Sequence, residues 1–493
     1  MSTQAERLRI RGARRTRREC GLYWYDPRGF SVQGALMLAA ASLVLALPPP
    51  SSSGCSTYGC SGFRTSYAEF DLPKLPKLLW TDVKLKGDLA SCSGDATDLA
   101  FCVSGDGQTA AFNRSGLVWH FGQQYGPKQA GSSWPPLLTE NGMVSTIEGP
   151  LGGRRVAVRA RALGGAAFQA PVNIGSGFGA YVMPRGSGAG DGLLLVAGDR
   201  GSPTLYGFNV EISLCWSAGL LCANTSSCAS PDDSGVLYAL GPPTVVSSGH
   251  AFFTAALRAD KHPESIYVVR IDVGDMGHRL PSTVLGAVPK AFPLPAGASA
   301  PLVLAPSSTQ PTELLIFRCT QGVVAVAADE AGAAHSLQIV WRASLAQSPS
   351  SRHQEGGSSP LALAADPRGG VWAWRETDAG GELVRLGAAT GAVLQMVHPR
   401  TLGLGQLVNP PLLLYGTAGK DLTLLAGFAT PTGDESDACF LVSLNLTSTG
   451  DARVKWKWGD GGGACPSGQV GLLGSGEIVY ARKDRGGVVA LGM

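Results

Sequence analysis

The stretch LAFCVSGDGQTAAFNRSGLVW, from Leu99 to Trp119, decides the fold. It holds two apolar runs separated by a turn with Asp106-Gly107, then a second turn and a final run that ends in Trp119. An Asp-Gly pair between two apolar runs is typical of a tight turn joining antiparallel strands. The stretch therefore predicts three consecutive strands of one antiparallel sheet, the last of which ends in tryptophan.

The same unit recurs along the chain, which indicates a repeat architecture. Further copies that end in tryptophan run from Gly192 to Trp216, from Glu313 to Trp341 and from Ala438 to Trp456. Copies without the tryptophan begin at Arg154 and Glu264, and a third runs from Gly369 to Gln395. After about residue 75 no 15-residue window has a helical period, so the sequence predicts an all-β protein.

The two ends of the chain supply an eighth unit in two halves. The stretch from Gly476 to Gly492 contains two strands but no tryptophan, whereas Lys74 to Asp82 is a tryptophan strand with nothing before it. A β-propeller closes its ring in this way, because the first strand completes the blade built by the C-terminus. Eight blades would take about 53 residues each over residues 70–493, and seven would take about 61, so we predict an eight-bladed β-propeller, with seven blades as the alternative.

The tryptophans of the repeat have a predicted packing role. A large flat side chain at a fixed place in each blade fills the wedge between neighbouring sheets, and its N–H can reach a backbone acceptor. The pairs Trp372 with Trp374 and Trp456 with Trp458 each lie on one face of a strand, and we expect blade packing there rather than a carbohydrate-stacking surface. The predicted blade-packing residues are Trp80, Trp119, Trp216, Trp341 and Trp456.

The unit resembles the repeat of the propellers of the pyrroloquinoline quinone (PQQ) and quinoprotein alcohol dehydrogenase-like family. The matching pieces are Asp106-Gly107, Ala325-Val326, Thr390-Gly391, Val488 to Leu491 and the five blade-packing tryptophans. The resemblance implies a propeller fold. The family's enzymes hold PQQ against a disulfide between adjacent cysteines, and this chain has no Cys-Cys dipeptide and no C-x-x-C-H motif for haem. We therefore expect no catalytic residue, no cofactor and no metal site.

The N-terminal region predicts a membrane segment. Residues 1–29 form an Arg-rich tail, residues 30–47 are apolar, residues 48–69 form a Pro/Ser/Gly-rich stalk, and residues 70–493 form the propeller. Eight arginines before the apolar segment place the tail in the cytosol. The segment is interpreted as a transmembrane signal anchor or a cleaved signal peptide, and an organelle transit peptide is a third reading.

Cysteine and asparagine usage favours the secretory pathway. Ten of the eleven cysteines follow the apolar segment, and none forms a C-x-x-C motif, so disulfides are predicted. Cys319, which lies in an apolar run, is equally well read as a buried free thiol. Three sequons predict N-glycosylation at Asn113, Asn224 and Asn445. The disulfide candidates are Cys55, Cys60, Cys92, Cys102, Cys215, Cys222, Cys228, Cys439 and Cys465.

Charge and composition narrow the function classes. The formal charge is +3, and the N-terminal arginines account for more than this surplus, so the body lacks the basic footprint of a nucleic-acid-binding protein. The sequence predicts a non-enzymatic, glycosylated propeller, held at a secretory-pathway membrane or the cell surface, or secreted, that binds a protein or glycan. The alternatives are an enzyme that uses the propeller channel and a lumenal sensor domain.

Overall fold

A computed structural model of the chain shows an architecture made almost entirely of β-strands. Within the residues that the structure describes, which are given at the end of this paragraph, no helix has the length and hydropathy needed to cross a membrane. The predicted membrane segment 30–47 lies outside those ranges, so it stays a prediction. The structure describes residues 67–68, 75–82, 85, 91–94, 98–104, 108–121, 136–138, 143–148, 155–164, 166–171, 177–182, 193–198, 204–209, 214–219, 236–241, 243–246, 251–258, 265–271, 291–294, 301–304, 312–319, 321–327, 339–345, 363–366, 368–375, 377, 381–415, 421–430, 439–447, 451–459, 466–482 and 487–492.

The strands are short and follow one another with few other elements. A 3-10 helix, Pro399–Leu402, joins two of the sheets. The strands are β1 (Tyr67–Ala68), β2 (Lys77–Asp82), β3 (Ser91–Gly94), β4 (Ala100–Val103), β5 (Thr109–Asn113), β6 (Gly116–Phe121), β7 (Leu137–Leu138), β8 (Met143–Glu148), β9 (Arg155–Ala160), β10 (Ala166–Pro171), β11 (Gly177–Val182), β12 (Leu193–Gly198), β13 (Thr204–Asn209), β14 (Leu214–Gly219), β15 (Val236–Ala239), β16 (Thr244–Val245), β17 (Ala251–Arg258), β18 (Ser265–Ile271), β19 (Ala291–Leu294), β20 (Leu302–Leu304), β21 (Leu314–Cys319), β22 (Gly322–Ala327), β23 (Ile339–Ser344), β24 (Leu363–Asp366), β25 (Gly370–Arg375), β26 (Glu382–Gly387), β27 (Val393–Val397), β28 (Leu407–Tyr415), β29 (Leu422–Ala429), β30 (Cys439–Leu446), β31 (Ala452–Trp458), β32 (Gly471–Leu472), β33 (Ile478–Ala481) and β34 (Val488–Gly492).

These strands form eight sheets within the described part of the chain, and most are meanders of four consecutive antiparallel strands. The orders are β3-β4-β5-β6, β10-β9-β8-β7, β11-β12-β13-β14, β15-β17-β18-β19 with β16 also on β17, β20-β21-β22-β23, β24-β25-β26-β27, β1-β28-β29-β30-β31 and β2-β34-β33-β32. We call β2, β6, β10, β14, β19, β23, β27 and β31 the outer strands of their sheets.

The last of these sheets, the closing sheet, joins the two ends of the chain. Strand β2 pairs antiparallel with β34, and Trp80 lies opposite Ala490. This is the pairing that the two terminal fragments predict. Strand β1 runs parallel to β28, with Tyr67 opposite Leu414, so two residues of the predicted stalk are paired with the sheets.

Apolar clusters join consecutive sheets face to face. One cluster packs Phe112 of β5 against Val479 and Ala490 of the closing sheet. Another packs Trp456 of β31 against the closing sheet from its other side. Further clusters join the sheets β20–β23, β24–β27 and β28–β31 in that order. These sheets are thus stabilised by burying apolar side chains on their faces against their neighbours.

Candidate binding surface on the sheet β24–β27

Five sheets share one structural position on the outer strand. At this position a tryptophan lies opposite a small residue of the adjacent strand, next to a β-bulge. The small partner leaves room for the indole ring across the strand pair. The pairs are Trp80 with Ala490, Trp119 with Ala111, Trp216 with Gly207, Trp341 with Ala325 and Trp456 with Ser443.

Three of the indole N–H groups at this position link their sheet to the next one. Trp80 Nε1 donates to the carbonyl of Asn113 over 3.1 Å, Trp119 Nε1 to that of Arg161 over 2.8 Å, and Trp341 Nε1 to that of Ala388 over 2.7 Å. All three acceptors lie where the third and fourth strands of the next sheet are joined. This position therefore fixes the spacing between neighbouring sheets by packing and by a hydrogen bond.

Glycines in the acceptor turns make this approach possible. A Cβ on Gly164 would lie 2.6 Å from the Trp119 ring, and a Cβ on Gly391 would lie 2.5 Å from the Trp341 ring. Both glycines also have a left-handed backbone, with φ of 65° and 67°, which other residues rarely adopt.

The sheet β24–β27 departs from this pattern. Its outer strand has Gln395 at the tryptophan position, opposite Arg385, next to the same kind of bulge. The side-chain Nε2 of Gln395 is buried, and it has no hydrogen-bond partner among the described residues. Glutamine thus replaces the tryptophan here, and arginine replaces the small residue opposite it.

The tryptophans of this sheet lie on its second strand instead. Trp372 of β25 has no exposed surface, and Trp374 packs edge-on against Phe428 of β29 with ring centroids 6.2 Å apart. Both belong to the cluster between this sheet and the sheet β28–β31. The second strand therefore supplies the large aromatic packing that outer-strand tryptophans supply elsewhere.

A buried carboxylate anchors this arrangement. Asp366, at the end of β24, accepts a hydrogen bond from Trp372 Nε1 over 3.3 Å and one from Arg385 Nε over 2.6 Å. Arg368 donates from its backbone N–H over 2.8 Å and from Nε and Nη2 over 3.1 Å each. Burial opposes ionisation of Asp366, but the hydrogen bonds from Arg368 and the charges of Arg385 and Arg368 outweigh it, so its pKa lies below the usual value. The carboxylate therefore stays charged at neutral pH.

The outer strand of the same sheet exposes apolar side chains. Val393 is 50% exposed, Leu394 54% and Met396 48%, and β27 contains no charged residue. Val340, on the outer strand of the preceding sheet, is also exposed. We call Val393, Leu394 and Met396 the β27 surface.

A second polar cluster lies at the other end of β25 and β26. Arg375 Nε donates to Glu382 Oε2 over 2.9 Å, and Arg375 Nη2 also contacts this oxygen. His398 Nδ1 lies 3.2 Å from Glu382 Oε1. Within the described ranges there is no group of three or more His, Cys, Asp or Glu that could hold a metal ion.

A buried glutamate links the closing sheet to the sheet β3–β6. Glu477 contacts Ser475, and Arg114 Nε lies 3.3 Å from its Oε1. Burial raises the pKa of Glu477, and the charge of Arg114 offsets only part of that effect. The pair crosses the same interface at which Trp80 stacks on Phe112, with ring centroids 5.2 Å apart.

Of the cysteine candidates, Cys92 and Cys102 form a disulfide across β3 and β4, and Cys439 is also disulfide-bonded. Cys215 lies in β14, whereas Cys55, Cys60, Cys222, Cys228 and Cys465 lie outside the described residues. Cys319 is a buried free thiol, and burial raises its pKa to about 11. The structure thus places a disulfide in the first full sheet and a protonated thiol in β21.

The predicted glycosylation sites differ in their surroundings. Asn113 is half-buried at a turn, where its Oδ1 accepts a hydrogen bond from the Ser115 backbone over 2.8 Å. Asn445 is half-buried in β30, and its Nδ2 donates to Asp421 over 3.3 Å. Asn224 lies outside the described residues. Glycosylation at the three sequons stays a prediction.

Comparison with known proteins supports the fold. No protein-family model matches the chain, and no curated protein matches it. Among solved structures, a europium-containing methanol dehydrogenase is similar over 91% of this chain and 92% of its own, with 11% identity and a TM-score of 0.55. BamB from Moraxella catarrhalis is similar over 85% of this chain and 100% of its own, with 13% identity and a TM-score of 0.48. The chain is a β-propeller protein, and its fold-level resemblance to the quinoprotein propellers is confirmed. Identities this low carry no statement about activity.

Proposed function

We propose that this protein is a non-enzymatic binding scaffold, an eight-bladed β-propeller that docks an extended segment of a protein partner along the outer edge of β27. The observation that carries the proposal is the β27 surface, where three of five residues are exposed and apolar. Peptides commonly add a strand to an exposed sheet edge, with main-chain hydrogen bonds for affinity and side-chain contacts for specificity.

The neighbouring outer strand supports this choice of edge. Exposed sheet edges are usually protected by charged residues, above all lysine. Strand β31 exposes Arg453, Lys455 and Lys457, whereas β27 has no charged residue. An apolar sheet edge without charged residues can pair with a strand of another chain, and a bound partner strand would bury its exposed side chains.

The eight-blade count and the location belong to the same proposal. Eight sheets and the pairing of β2 with β34 support eight blades closed by the N-terminal strand. The apolar segment 30–47, the sequons and the disulfides support a propeller on the lumenal or extracellular side of a secretory-pathway membrane. In this proposal the propeller presents β27 away from the cytosol.

Photocrosslinking in cells that express the full chain tests the docking surface. A benzophenone amino acid in place of Leu394 should give a discrete crosslinked protein band, because Leu394 is the most exposed residue of the β27 surface. The same substitution at Lys455, on β31, is the matched control and should give no such band. Equal crosslinking at both positions, or none at Leu394, would contradict the proposal.

A further inference from the structure

The cluster at Asp366 contains one more positive charge than negative charge. Two guanidinium groups, those of Arg368 and Arg385, contact a single carboxylate, which leaves one positive charge uncompensated. The side chains of Arg368 and Arg385 are only 18% and 17% exposed, so this charge is largely removed from water. A partly buried charge without a partner is costly, and an anion at this place would compensate it.

Several hydrogen-bond donors of the cluster also lack an acceptor. Arg385 uses only Nε toward Asp366, and Arg368 uses Nε and Nη2. No hydrogen bond from the Nη groups of Arg385 or from Nη1 of Arg368 to another described residue is seen, and these groups are not among the fully buried donors, so they are open to a ligand from solvent.

Gln395 adds an independent observation on the same face. It lies directly opposite Arg385 in the strand pairing, so the two side chains project from the same side of the sheet. Its buried Nε2 has no partner within the described ranges. A buried amide N–H without an acceptor costs free energy, and a bound ion is one of the groups that supply the missing acceptor.

We infer that Arg368, Arg385 and Gln395 form a binding site for an oxyanion, either free phosphate or the carboxylate of an acidic peptide. Arginine guanidinium groups bind both with charge-assisted, often bidentate hydrogen bonds. Asp366 holds Arg385 through Nε and leaves both of its Nη groups for the ligand. Because the tryptophan position of this sheet holds a glutamine, a smaller side chain replaces the indole ring that occupies this place at Trp80, Trp119, Trp341 and Trp456.

Binding of phosphate to the purified full chain tests the site directly. At constant ionic strength, replacing chloride with phosphate should raise the melting temperature by roughly 1–2 °C for each tenfold increase in phosphate above its dissociation constant. A blocked tetraglutamate peptide, with tetraglutamine as its control, tests the carboxylate source. A response to phosphate alone that Arg385→Gln abolishes assigns a free anion, because phosphate that is merely excluded from the surface would stabilise the variant equally. A response to tetraglutamate assigns a carboxylate ligand. No response to either probe would overturn the inference.

Variants locate the site. Arg385→Gln should raise the dissociation constant of the responding probe at least about tenfold, because it removes the charge and two free donors. Gln395→Leu keeps the size of the side chain but removes the amide, and should weaken binding less. The double variant Arg385→Ala/Gln395→Trp gives this sheet the Trp–Ala pair of Trp80, Trp119 and Trp341 and should lose the response, and its unfolding curve checks that it folds. Arg453→Gln on β31 is the control and should bind normally. Unchanged binding in the folded double variant would overturn the inference.

Whether β27 docks a protein partner does not affect this result, because the purified chain contains all the residues of the site. Failure of phosphate and peptide binding is therefore distinguishable from failure of the crosslinking at Leu394.

Discussion

The sheets β24–β27 and β28–β31 are neighbours with the same strand order, but their outer strands differ in which side chains they pack and which they expose. Strand β31 packs Trp456 against the closing sheet and exposes Arg453, Lys455 and Lys457. Strand β27 has Gln395 at the tryptophan position and exposes three apolar residues. One outer strand thus packs a tryptophan and exposes charged residues, whereas the other packs only Val397 and exposes apolar residues without charge.

The sheet β24–β27 packs without a tryptophan on β27 because its large aromatic side chains lie on β25, its second strand. Trp372 and Trp374 of β25 fill the interface with the sheet β28–β31, and Asp366 accepts the indole N–H of Trp372. The interface therefore keeps its large aromatic side chains without a tryptophan on the outer strand. In the proposed site, a position that elsewhere packs a tryptophan is left for a ligand.

The largest expected loss of stability follows the removal of Trp372, the buried tryptophan on the second strand of its sheet. Trp372→Ala should lower the free energy of unfolding by about 3–5 kcal/mol, because it removes a fully buried ring. Trp456→Ala, the matched change on the outer strand of the neighbouring sheet, should cost a similar amount. Denaturant unfolding of both variants checks this. A loss below about 1 kcal/mol for Trp372→Ala would mean that the two tryptophans are not equivalent.

Removal of the anchoring carboxylate should have the next largest effect. Asp366→Asn leaves two guanidinium groups without a countercharge and should cost about 3 kcal/mol. Asp421→Asn, an exposed aspartate between β28 and β29, is the control and should stay within about 0.5 kcal/mol of the parent.

The pH dependence of stability sharpens the same test. Because the pKa of Asp366 is lowered in the folded chain, its stabilisation is present above the unfolded pKa of about 3.9 and is lost as the pH falls through the folded pKa. The difference in unfolding free energy between Asp366→Asn and the parent should therefore shrink below about pH 4. A constant difference down to pH 2 would contradict the role given to this carboxylate.

Substitutions on the outer strands β27 and β31 should have the smallest effect on the free energy of unfolding, but they should change self-association of the chain. Leu394→Lys/Met396→Lys gives β27 the lysine protection of β31, and unfolding free energy should change by no more than about 0.5 kcal/mol. Self-association of the purified chain, measured by sedimentation, should fall. Lys455→Val/Lys457→Val on β31 should raise it. If both double variants behave like the parent, the edges do not differ in the way described.

Sequence patterns predict a large part of this architecture. The tryptophan-ended units predict strands two to four of several sheets, and the two terminal fragments predict the pairing of Trp80 with β34. Two of the first strands, Leu137–Leu138 and Gly471–Leu472, have only two residues, so no alternation could be read from them. The units at Arg154, Glu264 and Ala438 contain the third strand of a sheet and omit its second strand.

The candidate site is harder to predict from sequence. The unit that ends at Gln395 shows where the tryptophan is missing, and this is the signal that could have found the site. Asp366, Arg368 and Arg385 come together only through the pairing of β24, β25 and β26. No spacing along the chain marks Asp366 and Arg385 as partners, because they are 19 residues apart.

Hydrogen exchange of the full chain, purified alone and in an unfractionated extract of the cells that make it, tests the central claim that β27 is a binding edge. The account predicts that amides of residues 393–397 exchange more slowly in the extract, because a partner strand covers them, while residues 452–458 of β31 exchange equally in both. Unchanged exchange at residues 393–397, or slowing at residues 452–458 instead, would contradict the account.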